Sequence, residues 1–243
     1  ISDLKIRGGW GTMGNSNNVD PANQYSLYAA NRGNSYYPID GQSSGANEGY
    51  YRSRIGNSAA KWETSETMNI GVDATLFNGK WELALDIWRK DTRDLLFGVP
   101  LPAVVGPNAS APSVNVGQMR NQGIDLQIIN RGNLTSDIKY DLTFNNSFLK
   151  NEIVAFAPGI TNLTGGAFRG ITPVRMEVGQ SLSSFYGYQV IGYFNSAAEV
   201  ASSPAQDGKG LGRFRYADIN GDGKITTDDR TFLGSPVPTY TGG

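Results

Sequence analysis

The 243-residue chain has 31 glycines, a formal net charge of −1, and neither cysteine nor histidine. The lack of those two residue types excludes disulfide scaffolds, thiolate or histidine metal sites, cysteine nucleophiles and Ser-His-Asp triads. The chain also lacks a basic cluster that would neutralise phosphates, so no nucleic-acid partner is expected.

The composition favours strands and turns over helices, since glycine, aromatic residues, Asn, Ser and Thr are frequent. No apolar run approaches the roughly 20 residues that a membrane helix needs. The chain begins at Ile1 without a signal peptide, which a mature exported protein would have lost. A further strand is expected to begin near Tyr240, so both ends suggest a piece of a larger protein.

Period-two alternation of apolar and polar residues predicts the strands. In the clearest segment, Met68, Ile70 and Val72 point to one face, while Asn69 and Asp73 point to the other. The same alternation recurs along the chain. It predicts five long strands, at 3–12, 64–77, 80–95, 115–130 and 136–150.

The predicted connections alternate between short and long. Asn78-Gly79 is a strong hairpin signal, because both central residues of a type I′ turn need positive φ, and 131–136 is a second short turn. The connections at 11–62, 96–114 and 150–184 are long and rich in Gly, Asn, Ser and Pro. Short periplasmic turns opposite long extracellular loops are typical of outer-membrane barrels.

Strand length and aromatic placement also favour a membrane barrel over a soluble antiparallel sheet. Strands of about 10 residues or more suit a tilted membrane span. Aromatic residues near strand ends could form interfacial girdles, and the alternative is that each is a core residue or a strand-end cap. They are Trp10, Trp62, Phe77, Trp81, Trp88, Phe97 and Phe144. The polar face would line a hydrated lumen, through Lys5, Arg7, Asn69, Asp73, Glu82, Asp86, Asp125, Gln127, Lys139, Asp141 and Asn145. Five strands cannot close such a barrel, which needs at least about eight.

Five separated motifs carry a resemblance to a known family. They are LKIRGGWGTMGN at 4–15, WETSETMNIG at 62–71, KDTRDLL at 90–96, NVGQMRNQGID at 115–125 and DINGDG at 218–223. In this order they resemble SusC/RagA-type TonB-dependent transporters over nearly the whole chain, and the fourth motif is the most specific.

The resemblance implies an all-β fold, an antiparallel up-and-down transmembrane β-barrel segment with long extracellular loops. The segment would be a C-terminal fragment of a 22-stranded barrel in the bacterial outer membrane, surrounded by its lipid. The family's plug and TonB box have no counterpart here. The family imports glycan oligosaccharides or peptides, with energy from TonB through the plug and a SusD-like surface lipoprotein as a lid. The sequence does not distinguish a glycan cargo from a peptide cargo.

Two regions are expected on this basis. Residues 1–150 would form barrel strands, and 151–243 an extracellular loop region that leads into the next strand. Within the loop region, 184–194 is predicted to be a strand. Its aromatic residues would stack on sugar rings, pack under a lid protein, or pack within their own loop.

An acidic loop follows, with the ligand spacing of a calcium-binding loop. Positions 1, 3, 5, 7, 9 and 12 of an EF-hand-like loop correspond to Asp218, Asn220, Asp222, Lys224, Thr226 and Asp229. Gly223 stands at position 6, where the sharp turn requires glycine. Lys224 would offer only its backbone carbonyl, and Asp229 replaces the usual glutamate. The pattern predicts bound Ca²⁺, and the alternative is an Asx-rich turn without a metal.

Two other functions compete with import. The first is a soluble calcium-bound β-sandwich that serves as a carbohydrate-binding or adhesin module, for which shorter and more even strands are typical. The second is an enzyme that uses carboxylate pairs such as Asp91 with Asp94 or Asp228 with Asp229. Because such pairs need a set separation across a cleft and no nucleophile–base set can be assembled, no enzymatic activity is expected.

Overall fold

The computed structural model describes residues 1–17, 19–39, 41, 45–98 and 108–243. Within these residues the chain forms strands with one short α-helix and two 3-10 turns, at Pro21–Gln24 and Thr227–Asp229. In chain order the elements are β1 (Asp3–Asn15), β2 (Leu27–Ala29), β3 (Tyr51–Arg54), β4 (Glu63–Leu76), β5 (Trp81–Gly98), β6 (Ser113–Asn133), β7 (Lys139–Phe156), β8 (Asn162–Thr164), β9 (Val174–Glu177), β10 (Ser184–Tyr188), β11 (Val190–Tyr193), α1 (Ala197–Ser202), β12 (Phe214–Tyr216), β13 (Arg230–Gly234) and β14 (Tyr240–Gly242).

One antiparallel sheet of six strands dominates the fold. Its order is β1-β4-β5-β6-β7-β14, so strands that follow one another along the chain lie side by side, apart from the short strands inserted in the long connections. The five predicted strands all occur, with lengths of 13 to 21 residues. The strand predicted near Tyr240 is β14, which pairs with β7 at Tyr240 and Phe148. The predicted up-and-down antiparallel topology is confirmed.

The β4–β5 turn confirms the hairpin prediction. Asn78 and Gly79 have φ of 55° and 87°, and the backbone N–H of Lys80 donates to the carbonyl of Phe77 at 3.3 Å, as a type I′ turn requires. The β6–β7 turn is also short. The connections that follow β1, β5 and β7 are long, so short and long connections lie at opposite ends of the sheet, as predicted.

The register separates an apolar face from a polar face. One transverse row joins Ile6, Val72, Leu85 and Leu126, and the next joins Ile70, Ile87, Ile124 and Phe148. Ile70 is 66% exposed and Leu142 64%, so the aliphatic side chains do not bury one another in a dry core. Among the described residues, the buried apolar side chains are Pro112, Val116, Ile153 and Phe194. An apolar surface of this extent is out of place in water but is the expected contact with lipid.

The apolar band has defined edges. Along β5 the outward positions are apolar from Trp81 to Ile87 and become charged at Arg89 and Asp91. On β4 the outward positions are apolar over the nine residues from Met68 to Leu76, close to the roughly 9–11 residues that a tilted strand needs to cross the hydrocarbon core, and the strands continue beyond it. No helix among the residues with described structure is long and apolar enough to cross a membrane.

Aromatic side chains mark both edges of the band, with one correction. Trp10 is 69% exposed near the long-connection edge, and Phe77 is 70% exposed at the short-turn edge together with Trp81, as interfacial girdles require. The prediction for Trp88 is wrong. Its side chain lies on the polar face, where the indole N–H donates to Asp125 Oδ2 at 2.8 Å. A buried or half-buried indole needs a hydrogen-bond acceptor, and the carboxylate supplies one.

The connection between β7 and β14 contains its own small sheets. A four-stranded sheet has the order β13-β10-β9-β8, and β11 pairs with β12. The single strand predicted at 184–194 is therefore wrong, because it divides into β10 and β11 in different sheets. The division falls at Gln189, whose carbonyl accepts the N–H of Ala217. Strand β7 continues to Phe156, past the predicted boundary at 150.

Adjacent positions in β6 test the assignment of the two faces. Leu126→Lys is expected to destabilise the barrel by about 2–4 kcal/mol, because it places a charge in the lipid-facing band near its middle. Gln127→Lys, on the opposite face, is expected to cost far less, because the lumen is hydrated. Urea unfolding of the barrel in lipid bilayers measures both, and equal losses would contradict the assignment.

Candidate functional site: the polar wall and the acidic loop

The polar face of the main sheet forms a continuous wall. The register brings all the predicted lumen residues to this one face, namely Lys5, Arg7, Asn69, Asp73, Glu82, Asp86, Asp125, Gln127, Lys139, Asp141 and Asn145. Because the apolar face points to lipid, this wall faces the interior of the barrel. The prediction that these residues share one face is confirmed.

Arg7 is the centre of the wall's main ion-pair cluster. Its guanidinium donates to both oxygens of Asp73, at 2.7 and 2.8 Å, and to both oxygens of Asp86, at 2.9 and 3.0 Å. The three side chains come from β1, β4 and β5. Bidentate pairs of this kind fix geometry as well as charge, so one arginine ties three strands together on the lumen side.

Gly71 makes room for this cluster. It lies between Arg7 and Asp86 in the register of β1, β4 and β5. A Cβ at this position would lie 2.9 Å from Arg7 Cζ and would also overlap Asp86 Oδ1. Glycine therefore leaves room for the close approach of the two side chains, which a Cβ would have to displace, in a strand where glycine otherwise weakens packing.

Arg131 repeats the arrangement near the short turns. Its Nε donates to Asp141 at 2.8 Å, and its Nη1 pairs with Glu82, so it joins β5, β6 and β7. The sequence analysis missed Arg131, because the predicted strand ended at 130. The alternation that places Asp125 and Gln127 on the inner face continues to this residue, and it was the available signal.

The fourth motif, at 115–125, begins with Asn115, whose structural role the sequence does not reveal. Asn115 donates through Nδ2 to the carbonyls of Lys61 at 2.8 Å and Asp94 at 2.7 Å, and its Oδ1 accepts the N–H of Lys61 at 2.8 Å. Asp94 has φ of 57°, at a point where the β5–β6 register shifts. Asn115 thus holds a bulged strand end and the start of β4 together.

The acidic loop is ordered by its own side chains. Asp218 accepts the backbone N–H groups of Gly221 and Gly223, both at 2.8 Å. Asn220 accepts from Asp222 at 3.0 Å, and Asp222 in turn accepts from the backbone N–H of Lys224 at 2.8 Å. Gly223 has φ of 80°, which confirms the need for glycine at that position.

Asp229 closes the loop from below. Its side chain is fully buried, and its oxygens accept the N–H of Thr226 at 2.7 Å and of Ile219 at 2.9 Å. These hydrogen bonds, with that of Thr226 the strongest, lower the pKa of the carboxyl below its usual value. Thr226 also caps the 3-10 turn that contains Asp229.

Calcium binding by this loop stays a prediction. Within the described parts of the chain, no group of three or more acidic, histidine or cysteine side chains is arranged to hold a metal ion. The donor set is nevertheless of the kind that Ca²⁺ prefers, with hard oxygens from Asp218, Asn220 and Asp222 on one turn. Each of these side chains already accepts a backbone N–H, which gives the loop a defined shape.

The space at Gly71 can be tested directly. Gly71→Ala is expected to destabilise the barrel by about 1–3 kcal/mol, as overpacking does, because the new methyl group separates Arg7 from Asp86. Gly11→Ala is the matched control, since a Cβ at Gly11 would meet no atom within 4 Å. If urea unfolding in bilayers shows the same stability for both variants, the close approach does not matter.

Asp229 and its exposed neighbour Asp228 provide a second matched pair. Asp229→Asn is expected to speed hydrogen exchange at the amides of Ile219 and Thr226, because the amide side chain offers only one acceptor oxygen. Asp228→Asn should leave both amides protected. Since the folded-state pKa of Asp229 is lowered, its contribution is present above the unfolded value near about 3.9. This contribution is lost as the pH falls through the lower folded pKa, so acid should speed exchange at the same two amides. Protection of these amides that changes with neither pH nor the Asp229→Asn substitution would refute the role of Asp229.

Comparisons with known proteins agree with this geometry. The chain is 31% identical over 255 residues to the TonB-dependent receptor SusC of Bacteroides thetaiotaomicron, which covers 98% of this chain and 22% of that protein. It is 30% identical over 249 residues to the TonB-dependent receptor P3 of Formosa agariphila, which covers 100% of the chain and 24% of that receptor. The chain therefore spans about a quarter of the length of these relatives.

A solved structure and a family match extend the comparison. The structure of the RagAB peptide transporter superposes with a TM-score of 0.73 and 25% identity, covering 100% of this chain and 24% of that one. Residues 2–241 match the family described as TonB dependent receptor-like, beta-barrel. The predicted resemblance to SusC/RagA-type proteins and the predicted outer-membrane location are thus confirmed, and the relatives are receptors and transporters, not enzymes. The chain belongs to the TonB-dependent receptor-like β-barrel family.

Proposed function

We propose that the chain forms part of the wall of a TonB-dependent importer of large nutrients, with glycan oligosaccharides or peptides as cargo. The observation that carries the proposal is the six-stranded sheet with a lipid-facing apolar side and an ion-paired polar side. A polar inner wall suits a hydrated passage, and Arg7 and Arg131 neutralise its carboxylates in pairs. The wall therefore lacks a strong single-sign field, which suits cargo recognised by its shape and hydrogen bonds.

A SusD-like lipoprotein is the proposed partner at the long-loop end. Support comes from the names of two matched proteins, SusC and the RagAB transporter, and from an exposed aromatic ribbon in the last long connection. On β11 and β12, Tyr193 is 54% exposed and stacks on Phe214, which is 48% exposed. Aromatic side chains with free faces are common at the centre of protein interfaces.

The β-sandwich alternative is not favoured. It requires the aliphatic faces of two sheets to pack on each other, whereas Ile70 and Ile87 of the main sheet are 66% and 55% exposed. The relatives are also TonB-dependent receptors along the full length of this chain.

We also propose that the acidic loop binds Ca²⁺ through Asp218, Asn220, Asp222, Lys224, Thr226 and Asp229. The support is the residue pattern, the required glycine at Gly223, and the short turn that brings the first three side chains together. The ion would make this extracellular connection more rigid, because one cation would hold together side chains that otherwise form separate Asx turns.

Calcium binding is measured by isothermal titration of the barrel protein. Asp222→Ala is expected to abolish the heat of Ca²⁺ binding, since it removes a ligand oxygen, whereas Asp228→Ala should retain it. Protection of the Gly223 amide should also rise when Ca²⁺ is added. Unchanged titration in the Asp222 variant, or no heat in the unaltered protein, would show that the loop is an Asx turn alone.

Import is tested by uptake in cells that carry the complete barrel. Growth on an oligosaccharide or peptide source that depends on this protein should cease when TonB is depleted, and also when the lid lipoprotein is removed. A porin-sized monomer of the same nutrient is the control, because it needs no energised passage. Uptake that persists at the same rate without TonB would contradict the proposal.

A further inference from the structure

The outward face of the sheet changes character immediately beyond the apolar band. Arg89 follows Ile87 by two residues on the same face, about 7 Å along the strand at roughly 3.4 Å per residue. The headgroup layer on each side of a bilayer is of about that thickness. Arg89 therefore lies at the level of lipid headgroups, at the end of the sheet with the long connections, and Asp91 and Arg93 lie farther out on the same face.

Three arginines gather from this level outward around a small cavity, here named the arginine pocket. Arg89, Arg93 and Arg120 line a cavity of about 80 Å³, together with Asp91. Since one water molecule needs about 10–15 Å³ of such space, the cavity fits a group of a few heavy atoms. The cavity opens on the outer face, because its charged side chains lie on the same side of the sheet as Ile87 and Ile124.

The carboxylates of the pocket do not neutralise it. Asp91 accepts from Arg89 Nε at 2.8 Å and from Arg120 Nε at 2.7 Å, while Arg93 pairs with Glu66 at 2.9 Å. Glu152, opposite Arg120 on β7, pairs with Lys150. Three guanidinium groups therefore share the two remaining carboxylates, Asp91 and Glu66. Arg120 makes its hydrogen bond to Asp91 through Nε, and neither of its Nη groups has a hydrogen-bond partner among the described residues, so its fork is free to bind an oxyanion. Arg93 is 57% exposed and Arg89 41%.

An apolar groove adjoins the pocket on the membrane side. It is an open groove of about 1230 Å³, and the side chains that form it on the outer face include Trp10, Met68, Ile70, Ile87, Ile124 and Phe148. Arg89 lines both spaces. A charged pocket at headgroup depth above an apolar groove in the band matches an amphiphile with an anionic head and hydrocarbon tails.

We propose that this surface binds a phosphorylated glycolipid of the outer leaflet, with a phosphate group in the arginine pocket and an acyl chain along the apolar groove. Arginine suits this role because its planar fork matches phosphate oxygens and remains charged at any physiological pH. Asp91 holds Arg89 and Arg120 in place before the lipid binds, which reduces the entropy lost on binding. The site faces lipid and is separate from the inner wall, so it does not depend on the cargo.

The experiment compares lipid retention by the purified complete barrel. Detergent-solubilised protein is titrated with phosphorylated lipid A and with its dephosphorylated form, and bound lipid is counted by native mass spectrometry. The Arg93→Gln/Arg120→Gln double variant is expected to lose affinity for the phosphorylated lipid by about tenfold or more, since charge-assisted hydrogen bonds are removed. It should bind the dephosphorylated lipid as the unaltered protein does.

Lys80→Gln is the control. Lys80 is an exposed cation in the β4–β5 turn at the opposite end of the sheet, and it lines neither the arginine pocket nor the apolar groove. Its variant should keep the affinity within about twofold. Equal affinity for both lipid forms, equal losses in the double variant and the control, or equally tight binding of inorganic phosphate alone would each overturn the proposal. Heat-modifiable migration of each variant verifies that its barrel is folded.

Discussion

The register of one antiparallel sheet is the constraint on which the rest of the structure depends. A strand has a side-chain period of two, so a shift of a single residue would exchange every lipid-facing side chain for a lumen-facing one. In this chain the register is held on the inner face by Arg7 and Arg131, each of which pairs with carboxylates on two neighbouring strands. Gly71 keeps the space that the first of these clusters needs. The outer face can therefore be almost purely aliphatic across the band, because lipid, and not a packed core, is its environment.

The two ends of the sheet divide the structural and functional roles. Tight turns such as Phe77–Lys80 fix the pairing at one end, whereas the other end carries long connections with their own small sheets. Asn115 and Asn151 join those connections to the wall. Asn151 accepts the hydroxyl of Ser181 and the N–H of Leu182 at 2.9 and 2.7 Å. A stiff wall with elaborate loops tied to its rim suits the proposed importer, in which the loops would select the cargo.

Much of the fold could be predicted from the sequence, because alternation is a local signal. The five strands, the Asn78-Gly79 turn and the strand at Tyr240 follow from periodicity and turn chemistry alone. The division at Gln189 could not be predicted, because it is decided by partners such as Ala217 that lie far along the chain. Trp88 was assigned to a girdle because it is an aromatic residue near a strand end. It follows Asp86 by two residues, however, so the alternation already placed it on the inner face. The role of Asn115 depends on three backbone groups from separate segments, which no local pattern reveals.

The placement of lipid on one face and water on the other can be measured at two adjacent residues. The chain has no cysteine, so Asn69→Cys and Ile70→Cys each introduce one labelling site into it for a fluorescent probe in the complete barrel, reconstituted in bilayers. The account predicts that a lipid-borne quencher reduces the signal at position 70 and spares position 69, while a water-soluble quencher does the reverse. Quenching of both positions from water alone, or the opposite pattern, would contradict the account.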